Sequence, residues 1–263
     1  MTSPATAPTP ARAWGLLGVR LGAVLVFTGV MWAVARVFFD DASFPPNTMW
    51  ATLGLLPVNV LCLVLVRRFY RAEGWTLVDA LGVRRGRVGR DLLWGLLWLV
   101  VLNVPFGAAV AGTVFAMYGA DAPAAFETVF FDSSLEQYQD PAMLLVIGLI
   151  SVLPFMVLNA PAEELVFRGY GLRGLERRLG PAAAVAGTSV LFGLQHILFA
   201  PSRPGMVVYF VAFTVWGALA AVIVRKQGRL FPVVIAHWVV NFALASPAIV
   251  FPTLQLAGVL PVQ

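Results

Sequence analysis

The chain has 263 residues, of which 60% are hydrophobic and 12% charged, and its formal net charge is +5. A soluble domain carries about 25% charged residues, so this composition excludes a soluble globule, whose surface it could not cover, and equally a disordered chain. The positive balance does not describe a nucleic-acid-binding face, because the 17 Arg and one Lys fall in short clusters between apolar runs, which is the arrangement that sets membrane topology.

The expected fold is therefore an all-α, polytopic transmembrane helical bundle. Residues 1–11, rich in Ala, Pro and Thr, read as a flexible tail. A span needs about 20 apolar residues, because the hydrocarbon core is about 30 Å thick and a helix rises about 1.5 Å per residue. Seven stretches meet this, at roughly 14–38, 48–66, 92–118, 142–160, 182–200, 206–224 and 231–250. The first contains Ala33-Val34-Ala35, which resembles a signal-peptidase site, but its apolar run continues through Val37-Phe38-Phe39 and favours an uncleaved anchor. The second holds the lone cysteine, Cys62, which excludes an intrachain disulfide and a cysteine-rich metal site. In the fourth, Pro154 and Pro161 predict a kink or a restart of the helix. The tail 251–263 is apolar but too short to span.

Loop charges orient the bundle. Arg12, the seven Arg of 67–90, the four of 168–178, and Arg225, Lys226 and Arg229 place 15 basic residues on one side. The other side has Arg203 and seven acids: Asp40, Asp41, Asp121, Glu127, Asp132, Glu136 and Asp140. The positive-inside rule then puts the N-terminus in the cytoplasm. Arg20 and Arg36 lie near the ends of the first span, where long side chains can snorkel to the interface.

Carboxylates and histidines inside spans are costly and mark sites. Glu163 and Glu164 end the fourth span; if Pro161 opens a new helical segment, both lie in its first turn, where the helix dipole favours negative charge. Glu164 and Arg168 are four apart and can pair on one face. That pairing could be a plain interfacial anchor, yet it leaves Glu163 without a partner. Only two histidines exist, and both lie in spans: His196 in Phe192-Gly193-Leu194-Gln195-His196, and His237 in His237-Trp238-Val239-Val240-Asn241. His237 and Asn241 share a helical face, as do Phe192 and His196. Three helices thus each offer a polar group that hydrocarbon would penalise. The inventory suits water activation. A desolvated carboxylate can act as a general base near neutrality, a neutral imidazole can hold the same water, and an amide N–H with a second imidazole can stabilise an oxyanion.

Taken together, E-E-x-x-x-R, F-x-x-x-H and H-x-x-x-N occur in that order as Glu163-Glu164…Arg168, Phe192…His196 and His237…Asn241. In this the chain resembles the CPBP family of intramembrane proteases, which comprises CAAX prenyl endopeptidases of the Ras-converting type, Abi proteins and bacteriocin-immunity proteins. The resemblance covers about 142–245, and divides the chain into the tail 1–11, an N-terminal region of three spans over 12–140 and a protease core of four spans over 141–263. It implies a glutamate protease with a cavity open to the cytoplasm. Glu163 and His196 would activate water, His237 and Asn241 would form the oxyanion site, and Glu164, Arg168 and Phe192 would support them.

Other chemistries fit less well. The chain has no H-E-x-x-H zinc motif, no G-x-S-G serine nucleophile and no G-x-G-D aspartyl pair. No cofactor is expected. Glu163, His196 and His237 nevertheless supply the ligand types of some catalytic zinc sites, which keeps a zinc-dependent variant open. A non-enzymatic immunity or scaffold protein and a transporter are the remaining alternatives, the latter disfavoured by the lack of an inverted repeat. The expected partners are a membrane-associated peptide or protein substrate and the bilayer, with no nucleic acid; the sequence carries no signal for oligomeric state. The Arg-rich, Lys-poor composition points to a high-GC bacterial source and hence to a bacterial inner membrane.

Overall fold

The computed structural model describes residues 8–40, 42–130 and 140–261. Asp41, Asp132 and Glu136, three of the acids used above to orient the chain, lie outside the described residues, as do the first seven residues of the tail. Among the described residues the ordered elements are all helical: α1 (Pro10–Phe38), α2 (Thr48–Ala72), α3 (Leu77–Leu81), α4 (Val88–Tyr118), α5 (Ala122–Phe130), α6 (Pro141–Glu164), α7 (Leu172–Leu179), α8 (Pro181–His196), α9 (Arg203–Gln227), α10 (Phe231–Ala245) and α11 (Pro247–Leu256). Seven helical stretches among them are long and apolar enough to cross a membrane, and each coincides with one predicted span to within a residue or contains it.

Local chemistry places the starts. Pro141, Pro181 and Pro247 open their helices, where the missing N–H costs nothing because no intrahelical partner exists there. Asn47, Asp140 and Ser202 cap α2, α6 and α9 by accepting from Met49 N, Ala142 N and Gly205 N at 2.7, 2.9 and 3.0 Å, satisfying donors that a helix start leaves open.

Packing then collects the helices. α1 lies along α2, α2 along α6, α8 along α9, and α4 against α9 and α10, while α11 returns onto α6. Basic residues cluster where α1 begins and α2 ends: Arg12 is 4.0 Å from Glu73, which accepts the Tyr170 hydroxyl at 2.6 Å. Arg225 pairs with Glu176 nearby, and Arg229 binds the buried Asp91 at 2.6 Å. At the opposite end Trp32 Nε1 donates to Ala42 O and Phe38 stacks on Trp50. The outward faces are apolar, with Leu93 69% and Val104 66% exposed. The buried interior instead holds Arg20, Asn59, Asn159, Glu163, Glu164, Arg168, Gln195, His237 and Asn241. This inversion suits a solvent of lipid, where charged side chains must face one another.

Two expectations are corrected. The fourth span does not restart at Pro161; α6 runs through Pro154 and Pro161 to Glu164. Pro161 has no N–H to give the carbonyl of Val157, one turn earlier, and Trp238 Nε1 on α10 donates to that carbonyl at 3.3 Å. A neighbouring helix thus supplies the missing donor. The glutamates therefore close a helix and gain nothing from an N-terminal dipole. The chain continues as a wider π-helical turn, Leu165–Gly171, entirely buried, before α7. Gly171 suits this turn, since a Cβ would stand 2.6 Å from Val166 O and 3.2 Å from Leu17 on α1. The second correction concerns Arg20. It does not snorkel to an interface: it is fully buried, on the α1 stripe formed by Ala13, Leu16, Leu17, Val24 and Thr28. Arg36, in the last turn of α1, is exposed as expected.

Candidate active site

The site forms where the end of α6 meets α1, α8 and α10. Glu163 is 2% exposed and Glu164 fully buried. Being adjacent on the helix, they point about 100° apart and take different partners. Glu163 Oε1 accepts from Arg20 Nη2 at 2.7 Å and from Gln195 Nε2 at 2.9 Å. Its second oxygen, Oε2, has no hydrogen-bond partner and lies 3.6 Å from His237 Nε2, too long for a hydrogen bond. Glu164 Oε1 accepts from Arg168 Nη1 at 3.3 Å and meets His237 Nδ1 at 2.9 Å.

Arg168 forms the floor of the site. Its guanidinium lies 3.9 Å from the Phe192 ring centroid and 5.1 Å from that of Trp216, and the two rings stack at 5.6 Å. Ring faces carry negative potential and compensate a desolvated cation. This gives Phe192 a reason to be aromatic. Gly217 on α9 makes the approach feasible, since a Cβ there would sit 3.2 Å from Arg168 Nη2 and 3.4 Å from Phe192.

His196 ends α8. Its Nδ1 lies 2.7 Å from the Phe192 carbonyl oxygen. A carbonyl only accepts, so Nδ1 carries the hydrogen and Nε2 is left as an acceptor. The ring stacks on Phe213 at 3.7 Å with an interplanar angle of 8°. Its neighbour Gln195 bonds Glu163, although no hydrogen bond joins His196 itself to that carboxylate. Asn241 lies one turn beyond His237 on α10, buried, with Nδ2 unpartnered.

The seven residues singled out in the sequence lie on the end of α6, the π turn after it, α8 and α10. His237 bonds Glu164 and lies 3.6 Å from Glu163 Oε2. Arg168, Glu164 and Phe192 form one packed unit. His196 and Asn241 flank them without bonding to the carboxylates. Three of the polar groups were missed. Arg20, Gln195 and Asn159 surround Glu163, with Arg20 Nε donating to Gln195 Oε1 at 3.0 Å and Nη2 to Asn159 Oδ1 at 3.5 Å. The three-to-four spacing of Arg20 with Leu16, Leu17 and Val24 was a usable signal, because it puts the arginine on the packing face of its helix. Two carboxylates face two guanidiniums, so the formal charges of these four side chains cancel.

Among the described residues no group of three or more His, Cys, Asp or Glu side chains is arranged to hold a metal ion.

An all-helical bundle with seven membrane-length apolar stretches and a cluster of charged side chains buried between its helices is an integral, multi-pass membrane protein. Residues 141–243 match the family model described as type II CAAX prenyl endopeptidase Rce1-like, in keeping with the CPBP family that the three motifs resemble. The match takes in α6, α8, α9 and the glutamate, histidine and asparagine positions; α1, which delivers Arg20, lies outside it. Neither curated proteins nor solved structures give a match.

Proposed function

We propose that the protein is an intramembrane endopeptidase in which Glu163 and His196 activate a water and His237 with Asn241 holds the oxyanion. The observation that carries this is the unequal use of one buried carboxylate: Oε1 of Glu163 is doubly bonded by donors, while Oε2 faces His237 unpaired. An ionised oxygen without a donor, in a buried site, is where a water would bind and lose its proton.

In the proposed reaction Glu163 Oε2 takes a proton from the water, and His196 Nε2, an acceptor by its tautomer, holds the other hydrogen. The water oxygen bonds to the carbonyl carbon of the scissile peptide. The carbonyl π pair moves to oxygen, where Asn241 Nδ2–H and His237 Nε2–H donate to it. Glu164 only accepts, so His237 keeps its Nδ1 hydrogen on that side; donation from Nε2 as well requires a second ring proton, taken up from the medium before the cycle and retained through it, with Glu164 as counter-ion. Glu163 then returns its proton to the amide nitrogen as the C–N bond breaks, giving acid and amine. Oxyanion donors preorganised in this way act without reorganising at the moment of reaction. The proposed chemistry runs without a metal, because Arg20 already supplies the positive charge beside Glu163.

The proposed substrate is a membrane-associated peptide or protein. The basic end of the bundle is proposed to face the cytoplasm of a bacterial cell, which reporter fusions to each terminus test. The reaction is tested with full-length protein in proteoliposomes and a fluorescence-quenched, prenylated CAAX peptide. Glu163→Ala and His196→Ala should each abolish cleavage; turnover at the wild-type rate in both would sink the proposal.

A further inference from the structure

Arg20 is the one charged side chain in the cluster that neither the three motifs nor the matched stretch 141–243 includes. We propose that Arg20 is a positioning residue of this site, which fixes the rotation of the Glu163 carboxylate so that Oε2 alone is presented to the reacting water. The inference rests on the reading of Glu163 as the base.

The geometry goes beyond a counter-ion. A counter-ion needs only charge, and a buried cation can take any direction that neutralises its partner. Arg20 is held by acceptors from three helices: Asn59 Oδ1 on α2 at 2.8 Å from Nη1, Gln195 Oε1 on α8 at 3.0 Å from Nε, and Asn159 Oδ1 on α6 at 3.5 Å from Nη2. Its planar fork is thereby immobilised before it meets Glu163 at 2.7 Å. Gln195 closes a ring, accepting from Arg20 and donating to the same Oε1 at 2.9 Å. Two donors converge on one carboxylate oxygen and none on the other. Rotation of the carboxylate about its Cγ–Cδ bond would break both bonds, so Oε2 stays aimed at His237.

Arginine suits this task and lysine does not. The guanidinium offers five N–H donors in a fixed plane, whereas an ammonium is a compact charge on a flexible stem. Lysine at position 20 would keep the charge and lose the fork. It follows that α1, although outside the matched stretch, completes the reactive unit.

The test compares kcat and KM of the full-length protein in proteoliposomes with the same prenylated peptide, for wild type, Glu163→Gln, Arg20→Met, Arg20→Lys and Gln195→Leu. A small misplacement of a reacting group costs on the order of 10²-fold. Arg20→Met should therefore lower kcat by about 10²-fold with KM changed less than about twofold. Arg20→Lys should recover part of that loss and remain about tenfold below wild type, and Gln195→Leu should fall in the same direction. A purely structural role would instead reduce the amount of folded protein and leave kcat per folded molecule unchanged. If Arg20→Met fails to fold, folded Arg20→Lys decides alone: a wild-type kcat overturns the inference. Wild-type kcat in the Arg20 variants with an inactive Glu163→Gln overturns the positioning role only. Undiminished turnover by Glu163→Gln overturns the reading of the base itself.

Discussion

Replacing Glu164 by glutamine separates the charge of this carboxylate from its shape. In the wild-type structure it is fully buried and serves two donors, Arg168 Nη1 at 3.3 Å and His237 Nδ1 at 2.9 Å. The amide keeps a carbonyl oxygen that can accept from His237, but it removes the counter-charge of Arg168, itself 1% exposed. Breaking a buried pair from one side costs about 3–5 kcal/mol, because the remaining ion stays desolvated. Arg168 keeps the faces of Phe192 and Trp216 at 3.9 and 5.1 Å, which places the expected loss at the lower end, about 3 kcal/mol. At about 2–4 °C per kcal/mol for a chain of this size, the melting temperature should fall by roughly 6–12 °C. Thermal unfolding in detergent, followed by tryptophan fluorescence, measures this. The double variant Glu164→Gln/Arg168→Met carries neither charge and should recover most of the loss. A Glu164→Gln melting temperature equal to wild type, or no recovery in the double variant, refutes the buried-pair argument. Turnover offers a second readout. Glu164→Gln should retain more activity than Glu164→Leu, which takes away the acceptor for His237 as well.

Three further outcomes follow from the same geometry. Asn241→Ala removes the unpartnered Nδ2 donor and should lower kcat by ~10²–10³ with little change in KM, a range set by other oxyanion donors; near-wild-type turnover would contradict its role. Gly193→Ala should separate α8 from α9, because a Cβ would stand 2.5 Å from the Phe210 carbonyl and closer still to the Thr214 hydroxyl. The cost of such overpacking, about 1–3 kcal/mol, should appear as a lowered melting temperature, and an unchanged one would mean that the helices are not in this contact. Exhaustive chelation with EDTA and 1,10-phenanthroline should leave peptide cleavage unaltered; loss of activity restored by zinc would instead make the metal-dependent alternative correct.

Local sequence was enough wherever the governing physics is local. A span is a sum of transfer free energies over about 20 consecutive residues, so the stretch 182–200 anticipates α8 and 231–250 anticipates α10 within a few positions. Helical spacing likewise linked Glu164 to Arg168, a pair that the fold retains at 3.3 Å. The restart considered at Pro161 shows where this reasoning ends. Whether a proline interrupts a helix depends on what serves the carbonyl it leaves bare, and here the donor is Trp238, 81 residues away in sequence.

The chain by itself determined the membrane class, the helical stretches and the identity of the carboxylate, imidazole and amide groups, because scarcity made each stand out against an apolar background. Tertiary structure alone decided how they pair between helices. Arg20 reads from sequence as a residue close to an interface, and the fold gives it to Glu163, 143 positions away. Glu164 reads as the partner of Arg168 and proves also to hold His237, 73 positions away. Hydropathy counts a charge as a cost wherever it falls, whereas its actual free energy inside lipid depends on which opposite charge the packed faces bring to it.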